Sequence, residues 1–226
     1  MYSMNKYLFL GFFFFLSLYS FDSWAKRIYV DSTNTGFQDG TSWSTAYASF
    51  TIAVNNAVAT DTVWVAKGTY QPSLNNSFTL KENVKFFGGF KNTDTAFSQR
   101  DIARNPSILK GNGRSVLITW QSQNITNATI LDGFSVVDGT SNLGSGYRME
   151  GNSPIIRNCT FRNNVTNIYG SGFVRGGGAV SVTDYRSHPI FENCTFDSNK
   201  SGTLNEEQLR LLMAELQSII VYLVII

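Results

Sequence analysis

The sequence predicts an all-β chain wound as a right-handed parallel β-helix, with a short helix in its N-terminal cap. Three observations lead there. "NSPIIRNCTFRNN" (152–164) and "SHPIFENCTFDSN" (187–199) agree at seven of thirteen positions when Pro154 is laid on Pro189. A fainter third copy, "TILDGFSVVDG" (129–139), puts Leu131 on Ile156, Phe134 on Cys159 and Val136 on Phe161. Leu131, Ile156 and Phe191 are thus 25 and then 35 residues apart, a spacing typical of stacked repeat units. Each copy also breaks at one residue, Gly133, Asn158 or Asn193. Glycine and asparagine enter the left-handed backbone region at least cost, and a sharp bend between two strands of one coil needs that region. The hand of the coil follows from the general preference of parallel crossovers.

Along the chain, residues 1–25 read as a secretory signal. Lys6 precedes the almost wholly apolar "YLFLGFFFFLSLY" (7–19), and Ser23 and Ala25 supply small residues before Lys26. The apolar part is too short to span a bilayer, so no transmembrane span is expected in the exported chain. Residues 26–61 form the cap. Within it "AYASFTIAVNNAVA" (46–59) places Phe50, Val54 and Ala57 at helical spacing after Ser44 as candidate N-cap. Coils are expected over 62–202, beginning with short strands in "TVWVAKG" (62–68), "FTL" (78–80), "VKFFGG" (84–89) and "VLITW" (116–120). A third strand of each coil is expected in "SVLIT" (115–119), "GYRME" (146–150) and "GAVSVTDY" (178–185). Coil lengths differ at one corner, "GTSNLGSG" (139–146) and "NVTNIYGSGFVRGG" (164–177). A stack tolerates insertion at one corner because the others must stay in register with their neighbours.

The repeat stops at "TLNEEQLRLLMAELQSIIVYLVII" (203–226), an atypical tail with a helical, apolar pattern. Thr203 with Glu206 forms a capping-box pattern, and Leu209, Leu212, Met213, Leu216 and Ile220 follow at helical spacing. Two accounts fit: a helix over the open last coil, or unrelated residues standing where a longer protein had further coils. The second is preferred, because a capping unit shows a polar outer face and "SIIVYLVII" (218–226) has none.

Eighteen Lys and Arg against sixteen Asp and Glu leave no basic field for nucleic acid. Two cysteines in an exported chain invite a disulfide, but equivalent positions on stacked coils sit about 4.8 Å apart, wider than the ~3.8 Å between bridged Cβ atoms. Cys159 and Cys194 are therefore expected as free thiols in a buried ladder, with Phe161 and Phe196 stacked inward beside them.

"FRNN" (161–164) and "FDSN" (196–199) fit F-x-x-N, and "GGAV" (177–180) fits G-G-A-[ILV]. With these the chain resembles polymorphic outer membrane protein repeats. The opening "RIYVDSTNTGFQDGTSWSTAYASF", followed by "TVWVAKGTYQP" and "FTLKENVKFFGGF", looks like the cap and first coils of exported β-helix repeat proteins of Gram-negative bacteria. The resemblance covers about 26–202. It implies a pectin lyase-like fold and an outer-membrane or cell-surface location, and leaves the activity open, since one fold hosts many.

A polysaccharide lyase needs acids gathered to hold calcium and a base poised beside a uronate. Asp132, Asp138, Asp184, Glu192 and Asp197 are the acids on the repeating coils, with Arg157, Arg175 and Arg186 as candidate bases. They do not repeat: Glu192 stands where the other copies have Arg157 and Asp132. No catalytic residue, cofactor or metal is expected, and the lone His188 lacks ligand partners at suitable spacing. "DSTNTGFQDG" (31–40) misses the spacing of a calcium loop and reads as a turn. N-x-T triplets at Asn158 and Asn193 are explained by the repeat. Trp43, Trp64 and Phe86 read as cap and core. Tyr169 and Phe173, in the long variable corner, are the candidate ligand contacts, because variable loops on a rigid scaffold carry binding. The expectation is a secreted or cell-surface binding or adhesion module for carbohydrate or a host or cell-surface protein. Its alternatives are a fragment of a polysaccharide lyase or hydrolase whose catalytic coils lie elsewhere, and a passive stalk.

Overall fold

The computed structural model describes residues 25–142, 144–167 and 176–201. The expected signal at 1–25 lies outside them except for Ala25, and so do Tyr169, Phe173, Arg175 and the tail at 203–226. The described chain is a parallel β-helix. The first coil contributes β1 (Arg27–Val30) and leads into α1 (Phe50–Asn56). The second holds β2 (Thr62–Ala66) and β3 (Gly68–Tyr70), the third β4 (Lys85–Phe90), β5 (Ser107–Lys110) and β6 (Leu117–Thr119). The fourth is β7 (Ile130–Asp132), β8 (Phe134–Val137), β9 (Thr140–Ser141) and β10 (Tyr147–Glu150). The fifth repeats it with β11 (Ile155–Arg157), β12 (Thr160–Arg162), β13 (Val165–Thr166) and β14 (Val180–Thr183), and β15 (Ile190–Glu192) and β16 (Thr195–Asp197) open the sixth.

Stacking these coils gives three main sheets, in the orders β1-β2-β4-β7-β11-β15, β3-β5-β8-β12-β16 and β6-β10-β14, with β9 and β13 as a minor fourth. Their pairing is parallel throughout, and the register is the one the repeats predict. Leu131 pairs with Ile156 and Ile156 with Phe191, while Val136 pairs with Phe161 and Phe161 with Phe196. Side chains alternate across a strand, so each pairing builds an inward column. One column runs Ile28, Val63, Phe86, Leu131, Ile156, Phe191. A second runs Tyr70, Leu109, Val136, Phe161, Phe196. A third runs Phe78, Leu117, Tyr147, Val180. All three meet in one apolar core.

The corner residues take the expected conformation, with φ of 80° at Gly133, 51° at Asn158 and 50° at Asn193. The next corner explains the F-x-x-N motif. Asn164, wholly buried, accepts from the Gly139 N–H at 2.9 Å and donates to the Val136 carbonyl at 3.0 Å. One coil on, Asn199 accepts from the Asn164 N–H at 3.1 Å and side-chain amide at 2.9 Å and donates to the Phe161 carbonyl at 2.8 Å. Each asparagine thus closes the backbone of the coil before it. Such a bend strands donors and acceptors that a buried site has to satisfy.

Two expectations need correction. The helix starts at Phe50 and its N-cap is Ser49, whose hydroxyl accepts from the Ile52 N–H at 3.4 Å; Ser44 is not the cap. The cause is tertiary: Ser44 sits in a turn and Tyr47, just beyond it, bridges to Val30, so the helix begins only after that bridge. In "FTL" only Phe78 pairs, with Leu117, and no strand forms. The helix lies against β1 and β2 and drives Phe50 into the interior, where its ring meets Phe78, Phe86 and Phe134 at 5.3, 5.6 and 5.9 Å. It fills the N-terminal end, where the third sheet has no strand.

Candidate functional site

The outer face of the largest sheet carries the most distinctive side chains. Pairing places Tyr29, Trp64, Phe87, Asp132, Arg157 and Glu192 in one outward row. Half of it is aromatic and half alternates in charge. The aromatic half is roofed. Between β4 and β5 the single corner residue of later coils is replaced by residues 91–106, which strap the face. Phe97 sits edge-on to Phe87 at 4.9 Å and to Trp64 at 6.0 Å, while Trp43 donates to the Asp94 carbonyl at 2.6 Å. Trp64 stacks on Phe90 at 4.3 Å, and the Arg27 guanidinium lies 3.8 Å over Trp64. Phe86 is core as expected, but Trp64 is buried outside the coil, under the strap.

The charged half centres on Asp132, whose side chain is 3% exposed. Arg100, from the strap, donates to its Oδ1 at 2.5 Å and to its carbonyl at 2.7 Å, and also to the Gly88 carbonyl. Arg157 donates to Oδ2 at 2.6 Å, and Asn158 to Oδ1 at 3.0 Å. Burial alone would raise the Asp132 carboxyl. Hydrogen bonds from Arg100 and Asn158, the Arg100 charge and the bond from Arg157 outweigh it and hold the group below the usual carboxylate range. A carboxylate so engaged is ionised but has little basicity to offer a substrate. The rings of this face are covered by the strap, so what it presents is charge, with Asp132 itself fully engaged.

The strap also explains why the first copy has glycine where the others have asparagine. A Cβ at Gly133 would run into Arg100 Nη2 and lie 3.0 Å from Ile102. Gly133→Asn should therefore destabilise the fold by about 1–3 kcal/mol, as overpacking does, although asparagine suits the backbone there. In an Arg100→Ala background the extra cost should shrink, and urea titration of the four-protein cycle measures that coupling.

The other acids are dispersed. Asp138 pairs with Lys110 at 3.6 Å, and Asp184 pairs with Arg186 at 2.5 Å, whose hydrogen bonds hold it down at about 2. Asp197 accepts from Ser198, and Glu192 is exposed beside Arg157. Among the described residues no three His, Cys, Asp or Glu side chains form a metal-binding group. His188 only donates its backbone N–H to Ser153, at 2.9 Å. In 31–40, Asp31 and Asp39 spend a carboxylate oxygen on Thr33 and Thr41, closing turns.

Cys159 is buried and Cys194 half-buried, both unbridged. Burial raises the Cys159 thiol, and its hydrogen bond lowers Cys194 below the ordinary thiol range. Sequence reasoning did not single out Trp120, 45% exposed with the Arg148 guanidinium 4.6 Å over its ring, or Tyr185, 86% exposed. Neither lies in a recognisable motif, and exposure of a lone ring leaves no periodic signal.

Coils, columns and the asparagine corner together define an all-β parallel β-helix repeat protein. The chain belongs to the family described as "Protein of unknown function (DUF1565)", whose profile it matches over residues 32–210. No curated protein and no solved structure matches it. No described helix is long and apolar enough to cross a membrane.

Proposed function

We propose that this chain is an exported cell-surface binding or adhesion module whose scaffold is the β-helix and whose contacts lie in the variable corner at 139–146 and 164–177. The observation that carries this reading is the division of labour between corners. From the fourth coil on, two corners keep their length, one at left-handed residues and one at asparagines bonded to the coil before, while insertions gather where the chain passes toward β10 and β14; the strap at 91–106, one coil earlier, is the exception. Loops of variable length on a fixed frame are where binding residues accumulate. Export rests on the apolar, small-residue-terminated start of the chain. Tyr169 and Phe173, flanked by glycines there, supply flat rings suited to a sugar face or an apolar protein surface. The Asp132 carboxylate, held by two arginines, supports binding over proton transfer.

The purified chain should be retained on at least one member of a polysaccharide panel or on protein-coated surfaces, and lose retention as the Tyr169→Ala/Phe173→Ala variant. Given polygalacturonate and calcium, it should release no unsaturated uronate. A calcium-dependent rise in absorbance abolished by Arg157→Ala or Arg186→Ala would establish the lyase reading instead. Failure to be retained on any surface would favour a stalk.

A further inference from the structure

Trp120 and Tyr185 are exposed rings at one edge of the third sheet. Thr119, the last residue of β6, pairs with Met149 and points inward, so Trp120 just beyond it faces outward, as Ile118 and Arg148 do. On β14, Thr183 pairs with Glu150, and Tyr185 follows two residues later. The two rings therefore stand two layers apart, about 10 Å along the stack. Each belongs to the same kind of group. Over Trp120, at 4.6 Å, lies the Arg148 guanidinium, with the Glu150 carboxylate 3.6 Å from its Nη2. Over Tyr185, at 5.5 Å, lies the Arg186 guanidinium, with the Asp184 carboxylate 2.5 Å away.

The first group is incomplete. Arg186 commits its donors to Asp184, but the Nε of Arg148 is closed to solvent without a hydrogen-bond partner, and 3.6 Å to Glu150 is too long for a hydrogen bond. A guanidinium carries five N–H donors, and one left buried and unused favours any acceptor that can reach it. The ring beside it is fixed in place. The Trp120 backbone N–H donates to Gln123 at 2.7 Å, and Gln123 donates onward to the Thr79 hydroxyl at 2.6 Å and the Leu80 carbonyl at 2.8 Å.

We propose that this edge binds an extended, neutral polysaccharide, with one sugar on the part of the Trp120 indole that Arg148 leaves open and another on Tyr185. Hydroxyls of the first sugar meet the N–H edge of Arg148 and the carboxylate of Glu150. Neutrality follows from the charges. Arg148 is offset by Glu150 and Arg186 by Asp184, so an acidic chain would meet two carboxylates and a basic chain two guanidinium groups. A hydroxyl both donates and accepts and suits both partners. In an extended chain of equatorially linked sugars, alternate units present the same face, a repeat that the two-layer spacing of the rings matches. The site shares no residue with the variable corner, so it stands or falls apart from Tyr169 and Phe173.

Affinity electrophoresis of the full chain through gels holding hydroxyethylcellulose, galactomannan or polygalacturonate tests this. At least one of the two neutral polymers should retard the chain, and more strongly than polygalacturonate. Trp120→Ala should weaken that interaction at least tenfold, while Trp120→Phe, which keeps a flat ring, should restore most of it. Arg148→Met, which keeps an apolar stem over the ring and removes the donors, should weaken it at least threefold. Should Trp120→Ala shift the urea midpoint of the chain, Arg148→Met decides alone. Retardation by neither neutral polymer, a preference for polygalacturonate, or undiminished binding by the folded variants overturns the proposal. Loss on Tyr169→Ala/Phe173→Ala alone overturns it too and leaves the corner reading standing, whereas loss on Trp120→Ala alone supports this edge against the corner. Retention on a protein-coated surface that Trp120→Ala abolishes, without retardation by a neutral polymer, assigns the edge to a protein partner and overturns the glycan.

Discussion

Asp132→Ala should cost about 3–5 kcal/mol of folding stability, the usual consequence of removing one partner from a buried ionic contact. The loss would fall mainly on Arg100, whose side chain is 9% exposed and whose position depends on the strap; Arg157, at 36% exposure, recovers solvent more easily. Chemical denaturation of wild type and variant measures the difference. The same contact sets a pH dependence. Because the folded-state carboxyl lies below its ordinary value, its contribution is fully present above about pH 4, the unfolded value. It is lost as pH falls through the folded value. Asp132→Asn should remove that part of the acid transition, so the stability gap between it and wild type should close at low pH. A gap independent of pH would mean that the side chain acts through packing alone.

Phe161→Ala should cost about 3–5 kcal/mol, the range for a large-to-small change at a fully buried aromatic site. Phe161 is 0% exposed and stacks on Phe196 at 5.3 Å with planes 12° apart. It touches Phe191 edge-on at 6.3 Å as well, so truncation opens a void shared by two layers. A shift in the urea midpoint at unchanged slope would confirm a pure stability loss. A cost below about 1 kcal/mol would mean that the neighbouring coils collapse into the gap.

Both effects arise from the same fold, yet only one was legible in the sequence. The inward columns were readable because strand alternation and the left-handed corner fix which residues face in: Leu131, Ile156 and Phe191 could be aligned from letters alone. The Asp132 contact was not. Arg100 sits 32 residues upstream in the strap, which occurs once and shares no period with the coils. The one trace it leaves is glycine at 133 where later copies carry asparagine. Trp64 was misplaced for a related reason. Its strand, Thr62–Ala66, is apolar on both faces from Val63 on, and apolar letters alone do not say which face is the coil interior and which is roofed by a distant loop. Ser44 lost its capping role to a bridge made by Tyr47, a contact that local spacing does not encode. The candidate contacts at Tyr169 and Phe173 lie outside the described residues, so their reading still rests on the sequence.

The asparagine corner has a mechanical consequence. Asn164 secures the backbone of the preceding coil, and Asn199 secures that of Asn164. The fourth and fifth coils are therefore each finished by their successor, and there the fastening runs one way. Tension applied from the C-terminal side meets the clasps in series and peels one layer before loading the next. Tension from the N-terminal side must first draw Phe50 from between Phe78, Phe86 and Phe134. A filament built this way yields stepwise from one end and resists abruptly at the other.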